Sequence, residues 1–254
     1  MTLSSIRKKN PLVHCITNYV VANFTANGLL ATGASPVMAD EMEEVEEMVS
    51  IANGLLINLG TVNVRTLESM MIAGKKANEL NIPVVLDPVG VGATKYRQRA
   101  IKDILEKVNV QLIRCNMGEL ATIAEVEWQG RGVDSGNGDM DLPTVAKQVA
   151  IKYNCLVAVT GSKDFLTDGY LEYWTVGGHE LMTQVTGTGC LLSALSAAAL
   201  TLEGNPLSNL CELFMDYKRV AELASDHLLL GTFQEEIINS IHLLSRGGKQ
   251  WTLS

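Results

Sequence analysis

Four short runs of almost unbroken apolar residues punctuate the first two thirds of the chain. They are Gly54-Leu-Leu-Ile-Asn-Leu59, Pro83-Val-Val-Leu-Asp87, Gln111-Leu-Ile-Arg114 and Leu156-Val-Ala-Val-Thr160. Their apolar positions are consecutive rather than alternate, the pattern of strands covered on both faces of a parallel sheet. Helical periods lie between them. Residues 63–80 put Val64, Leu67, Met70, Met71, Ala77 and Leu80 on one face, and residues 100–108 do the same with Ile101, Ile104, Leu105 and Val108. Pro143 opens a further helix over 143–153, where a missing amide hydrogen costs nothing. Strand and helix alternating in this way predict right-handed crossovers and an α/β, doubly wound, mainly parallel sheet with helices on both faces.

The last third changes character. Thr167-Asp168-Gly169 reads as a hairpin turn between 164–166 and 170–176, so an antiparallel edge extends the sheet; Gly177-Gly178 is a second turn signal, followed by Leu181-Met182. Helices then dominate, over 190–202, 207–230 and 233–246. The acidic run 40–47 reads as a solvated helix start. Residues 128–141 carry four glycines, as either a plain surface loop or a mobile flap beside a site.

Composition narrows the function. With 254 residues, 47 % hydrophobic and 19 % charged, and neither an internal repeat nor a low-complexity linker, residues 1–254 are expected to form a single domain. A net charge of −8 gives no basic face for a nucleic-acid backbone, though a small anion can still be held by local donors. No signal-peptide core follows the basic N-terminus, and the apolar stretch 191–202 is too short to span a bilayer, so no membrane partner is expected. Five cysteines without a CxxC fit reduced thiols and a cytoplasmic protein.

Several chemistries lack their residues. The pairs Gly74-Lys75 and Gly248-Lys249 have no upstream P-loop glycine, and His179-Glu-Leu-Met-Thr183 has threonine where a zincin needs its second histidine. Gly33-Ala-Ser-Pro-Val37 is not a hydrolase elbow, and Gly187-Thr-Gly189 is not continued as a dinucleotide fingerprint.

What remains is Val185-Thr-Gly-Thr-Gly-Cys-Leu-Leu192. Small residues directly before an apolar helix leave unpaired amides at the positive end of the helix dipole, which makes an anion hole; the plainer alternative is a tight turn with an ordinary buried cysteine. Polar groups also fall at strand ends, where doubly wound folds bind ligands: Asn58 to Thr61, Asp87, Arg114, Asn116 and Thr160. Asp87 suits either a magnesium-water ligand or a turn before Pro88. Glu119 suits either a metal-organising role or a helix start. Arg114, ending a buried strand, needs an anionic partner.

At these residues the chain resembles the hydroxyethylthiazole kinases, thiamine-salvage enzymes of the ribokinase-like superfamily. The likeness runs over about residues 10–244 and is carried by Leu12-Val-His-Cys-Ile-Thr-Asn18, Asn23-Phe-Thr-Ala-Asn-Gly-Leu-Leu30, Gly33-Ala-Ser-Pro-Val-Met38, Leu86-Asp-Pro-Val-Gly90 and the turn 186–190. The resemblance implies a ribokinase-like fold and ATP-dependent phosphorylation of the hydroxyl of 4-methyl-5-(2-hydroxyethyl)thiazole. It implies substrate contacts at Met38 and Gly187, with Asn18 and Gly60 as neighbours, and ATP contacts at Arg114 and Thr160. It further implies Asp87 and Glu119 as the carboxylates organising Mg2+, and a homotrimer with active sites at subunit interfaces. Cys190 stands where most of the superfamily has an aspartate base. A thiol of ordinary pKa, near 8.5, is about a few per cent ionised at neutral pH. A helix N-terminus lowers that value and neighbouring phosphates raise it. The amides of Gly187, Thr188 and Gly189, together with the metal, therefore rank above Cys190 in catalysis. A related kinase acting on hydroxymethylpyrimidine or pyridoxal, and a non-catalytic nucleotide-binding module, are the alternatives. The cysteine disfavours the first, and the joint presence of Asp87, Arg114, Glu119 and the glycine turn disfavours the second.

Overall fold

All four apolar runs are strands, in a computed structural model that describes residues 1–126, 140–227 and 229–248. The chain order is α1 (Thr2–Lys9), β1 (Leu12–Ile16), α2 (Ala22–Thr32), β2 (Ser35–Val37), α3 (Val45–Ile51), β3 (Gly54–Asn58), α4 (Val64–Glu79) and β4 (Val84–Asp87). A 3-10 turn (Val91–Ala93) leads to α5 (Lys95–Lys107), β5 (Leu112–Asn116), α6 (Met117–Ile123), α7 (Leu142–Tyr153), β6 (Leu156–Thr160), β7 (Asp164–Thr167) and β8 (Glu172–Thr175). After a second 3-10 turn (Glu180–Thr183) come α8 (Thr188–Ala199), α9 (Pro206–Ala224), a third short turn (Ser225–His227) and α10 (Leu230–Ser245). The possible flap at 128–141 lies, apart from Met140 and Asp141, outside the described residues.

The sheet order is β2-β1-β3-β4-β5-β6-β7-β8, parallel from β2 through β6, with β7 and β8 antiparallel at the edge. Successive residues of one strand feed opposite cores. Leu56, Val85 and Leu112 pack with α1, α2 and α8 to α10 through Leu3, Leu29, Leu195, Phe214 and Phe233. Leu55, Ile57, Leu86 and Ile113 pack with α3 to α7 through Val49, Met70, Ile104, Leu120 and Val149. This two-sided burial is why the strands read as continuous apolar runs.

From β1 the chain steps outward to β2, then returns past β1 to β3, and the crossover helix changes face with it: α2 belongs to one core and α3 to the other. Such a reversal opens a crevice beyond the carboxyl ends of β1 and β3. Helix α8 packs across β1, β3 and β4 and brings its N-terminus to that same end.

Three details differ from the sequence pattern. Leu181 and Met182 lie in a 3-10 turn rather than extending the edge, with His179 capping the amide of Leu181. The 207–230 segment breaks after Ala224. The acidic run begins its helix only at Val45, because Asp40 and Glu41 are engaged with Arg65, at 3.6 and 2.6 Å, from outside the helix.

Candidate active site

The carboxyl ends of the central strands deliver a connected polar cluster. Asp87, the last residue of β4, is fully buried, and its Oδ2 accepts from Asn58 Nδ2 at 2.8 Å and from Ser193 Oγ at 2.9 Å. Among the described residues its Oδ1 accepts no hydrogen bond, and it faces Arg114 Nη1 at 3.6 Å. Burial pushes the Asp87 carboxyl above the usual carboxylate range, against the opposing pull of Arg114, Ser193 and Asn58. On the other side Arg114 donates to Thr160 Oγ1, joining the ends of β5 and β6.

Helix α8 begins in the middle of this cluster. Gly187 is its N-cap with φ of +93°, a backbone conformation that favours glycine, and no side chain caps the helix. The first intrahelical bond runs from the Leu191 amide to the Gly187 carbonyl, so the amides of Thr188, Gly189 and Cys190 precede the helical ladder. Thr188 offers only its amide, since its hydroxyl donates to the Met182 carbonyl and its own carbonyl accepts from Tyr217. A Cβ on Gly189 would stand 2.7 Å from both terminal nitrogens of Arg114. The missing side chain thus lets a guanidinium lie against the positive end of the helix dipole. Two positive sources converge on one spot, which is an arrangement for an anion.

Cys190 lies beside this turn, with Asn18 Nδ2 3.6 Å from its sulfur. Burial, then the charge of Asp87, pushes its thiol up to about 12. The lowering expected from the helix terminus is therefore outweighed, and the sulfur is a neutral thiol at pH 7. Asn18 also donates to Asn58 Oδ1 at 2.9 Å, which accepts in turn from the Gly60 amide at 2.9 Å. One chain of hydrogen bonds therefore links Cys190, Asn18, Asn58, Asp87 and Ser193.

Glu119 sits in the first turn of α6 and makes a reciprocal cap with Asn116; its Oε2 accepts from the Asn116 amide and its Oε1 from the Gly90 amide, both at 2.9 Å. Glu119 is therefore a helix start, and it also anchors the loop after Asp87. Burial, followed by the charge of Asp87, raises its pKa. No cluster of three metal-ligating side chains occurs among the described residues. Arg114 nevertheless pairs with Asp87 and acts on Glu119 through its charge alone, and among the described residues Asp87 Oδ1 lacks a donor. That donor set fits Mg2+ held through its own waters, the way this ion is commonly bound beside phosphates.

Met38 stands apart from the Asp87 cluster and lines a cleft of about 260 Å³ with Cys15, Thr17, Tyr19, Asn58 and Thr61, at the crevice beyond β1 and β3. Asn58 is common to cleft and cluster. A larger cleft of about 580 Å³ opens at the opposite, amino ends of β4 to β6, among Pro83, Gln111, Tyr153 and Asn205, away from all the chemistry above.

Behind Thr160 the chain is pinned by a buried ion pair. Lys218 Nζ lies 3.0 Å from Asp164 Oδ1 and donates to the Gly161 carbonyl at 3.0 Å, while Asp164 Oδ1 accepts from the Gly161 amide and Oδ2 from Thr175. Lys218→Met leaves that carboxylate buried without its partner and is expected to cost about 3–5 kcal/mol in urea unfolding. Adding Asp164→Asn should recover part of it. A single-variant loss below about 1 kcal/mol would count against this anchor.

Sequence reasoning counted Asn58 among the strand-end polar groups without giving it a role, and did not assign Ser193 to the site. Asn58 had a usable signal, a polar residue closing an apolar strand. Ser193 follows Cys190 by one helical turn, so its hydroxyl shares that face, but within an apolar helix it reads as a tolerated polar residue.

The match to known proteins covers nearly the whole chain. The model of the hydroxyethylthiazole kinase family matches residues 3–247. Relatives described as hydroxyethylthiazole kinase include one from Lysinibacillus sphaericus, 56 % identical over 98 % of both chains. Another, from Haemophilus influenzae, is 48 % identical over 96 % of this chain and 93 % of its own. The solved hydroxyethylthiazole kinase of Pyrococcus horikoshii superposes with a TM-score of 0.86 at 39 % identity, covering 95 % of this chain and 91 % of that one. An ADP complex of Bacillus subtilis pyridoxal kinase, at 14 % identity and a TM-score of 0.65 over 83 % and 90 % of the two chains, shares the fold.

Proposed function

Since the chain belongs to the hydroxyethylthiazole kinase family, we propose that its reaction takes place at the N-terminus of α8, between an alcohol held in the Met38 cleft and ATP held by Arg114 and Thr160. The reaction is the phosphorylation of the hydroxyl of 4-methyl-5-(2-hydroxyethyl)thiazole with ATP as co-substrate. The observation that carries the site is the uncapped turn Gly187 to Cys190 with the Arg114 guanidinium lying against Gly189.

Phosphoryl transfer through a loose transition state spreads charge over the equatorial oxygens of the moving group. In this assignment the amides of Thr188, Gly189 and Cys190, together with Arg114, face that charge without having to reorganise. Met38, Gly187, Asn18 and Gly60 form the acceptor side, and Gly187 is the hinge between it and the anion hole. Asp87 and Glu119 would hold Mg2+ through its waters; when bound, that ion neutralises phosphate charge.

Cys190 orients the alcohol as a neutral partner rather than deprotonating it in advance, which suffices because the proton leaves late. A well-placed general base contributes roughly 10²–10⁴-fold. Cys190→Ala is therefore expected to lower kcat by only about 10- to 100-fold, and Cys190→Asp to stay active, because a carboxylate can take the same place. The wild-type rate should show no inflection near pH 8.5. A folded Cys190→Ala variant at background would overturn this ranking.

Tyr19, which lines the cleft, is an 82 % exposed apolar side chain, and Val64, between the lining residues Asn63 and Arg65, is 75 % exposed, as an interface requires. We assign that rim to a homotrimer contact that completes the acceptor pocket, with a sedimentation mass of three chains as the check. Residues 1–254 act as one kinase unit, since every group named lies on one sheet or on the loops and helices packed against it. Among the described residues no helix is long and apolar enough to cross a membrane, and all five cysteines are unpaired. Both observations support a cytoplasmic setting.

An acceptor panel tests the activity. ADP release with the thiazole alcohol, and not with hydroxymethylpyrimidine or pyridoxal, is expected. Preference for either of the latter would refute the substrate assignment.

A further inference from the structure

Arg97, near the start of α5, uses its charge in an unusual way. Its guanidinium donates to three backbone carbonyls, through Nη1 to Leu59 and to Val89 (2.6 Å) and through Nη2 to Gly60 (2.7 Å). Among the described residues it has no carboxylate partner. Its own amide is fixed by the Thr94 cap. The carbonyls belong to two different loops. Leu59 and Gly60 follow β3, and the Gly60 amide feeds the Asn58–Asn18–Cys190 chain. Val89 follows β4, between Asp87 and Gly90, whose amide holds Glu119.

We propose that Arg97 is a positioning residue which clamps the acceptor-side loop to the carboxylate-bearing loop, fixing the spacing between alcohol and nucleotide. The inference rests on the assignment of those two loops made above. Its physical basis is the planar fork. A guanidinium can span carbonyls on both loops at once, whereas a lysine ammonium is a point donor on a flexible stem and cannot hold the same geometry. The clamp is half-buried, so water can replace the lost donors. Removing it should leave the fold intact and release only the relative placement of the loops. Misplacement by about 1 Å is enough to cost on the order of a hundredfold in rate.

The test pairs Arg97→Lys with Arg97→Met and reads amide hydrogen exchange at Gly60 and Gly90 alongside kinetics. In both variants the two amides should exchange at least about tenfold faster, and together, while amides of β6 and β7 keep wild-type protection. The kcat for the thiazole alcohol should fall about tenfold or more. Wild-type protection of both loops in Arg97→Lys contradicts the clamp, and so does loss of protection spread evenly through the sheet. Should Arg97→Met fail to fold, Arg97→Lys decides alone. A wild-type protein inactive on the thiazole alcohol would refute the substrate assignment, while the exchange data would still decide the clamp.

Discussion

Gly187→Ala is expected to lower kcat/KM for the thiazole alcohol by about a hundredfold or more in a chain that still folds. Two effects act at one atom. The residue has φ of +93°, where a side chain is disfavoured by roughly 1–2 kcal/mol. A Cβ there would also lie 2.7 Å from Val21 Cγ1, 3.0 Å from Val21 Cβ and 3.2 Å from Phe24 Cδ1. Val21 and Phe24 are buried, and a short β-branched side chain has no flexible end to swing away. The turn must move instead, and with it the amides that follow. Losing one well-aimed donor of this kind costs about 10²–10³-fold. Steady-state kinetics beside thermal unfolding separates the effects, with a modest loss of stability and a large loss of rate. A variant within threefold of wild-type kcat/KM would show that the turn does not shape the site.

Arg114→Met should do more damage, to stability and catalysis together. Asp87 would keep Asn58 and Ser193 but lose the cation it pairs with, and breaking a buried pair typically costs about 3–5 kcal/mol. The sign of the pH dependence follows from Asp87. Its folded pKa is already raised by burial, and losing Arg114 raises it further. Folding therefore takes up a proton above pH 4, so the variant's stability falls as pH rises from the ordinary carboxylate value toward the raised one. The gap between variant and wild type should widen from pH 4 to pH 8. Adding Asp87→Asn removes the stranded charge and should restore most of the stability but none of the activity. A gap that stays constant with pH, or a double variant no more stable than Arg114→Met, would contradict the pairing. On the catalytic side, KM for ATP should rise at least about thirtyfold.

The fold was legible where burial is two-sided. The strands β3, β4, β5 and β6 show as apolar runs because neither face meets water, and the Asp168-Gly169 turn marks the antiparallel edge. Residues 1–39 carried family motifs but no readable strand or helix pattern, for physical reasons. Strand β1 contains His14, whose buried ring is kept neutral by desolvation and bonded to the Ala39 carbonyl, so its polarity hides the strand. Strand β2 is three residues long and holds Pro36, which only an edge tolerates. Helix α2 shows little amphipathic contrast, with Asn23 and Asn27 bonded to one another along its exposed side.

The candidate site was legible as residue types at strand ends, but not as connections. That Arg114 lies over Gly189, that Ser193 reaches back to Asp87, and that Arg97 bridges two loops all depend on how α8 and α5 cross the sheet. The state of Cys190 stayed open between opposing effects on the same ground. A helix N-terminus is visible in sequence, whereas the burial that overrides it is not.

A structure of the ternary complex with the thiazole alcohol and a non-hydrolysable ATP analogue tests the central claim most directly. The expected result has the terminal phosphoryl oxygens about 3 Å from the amides of Gly189 and Cys190, Arg114 against the same group, and the alcohol oxygen in line on the Met38 side. A nucleotide whose terminal phosphate lies away from the α8 turn, with those amides turned toward solvent, would contradict it.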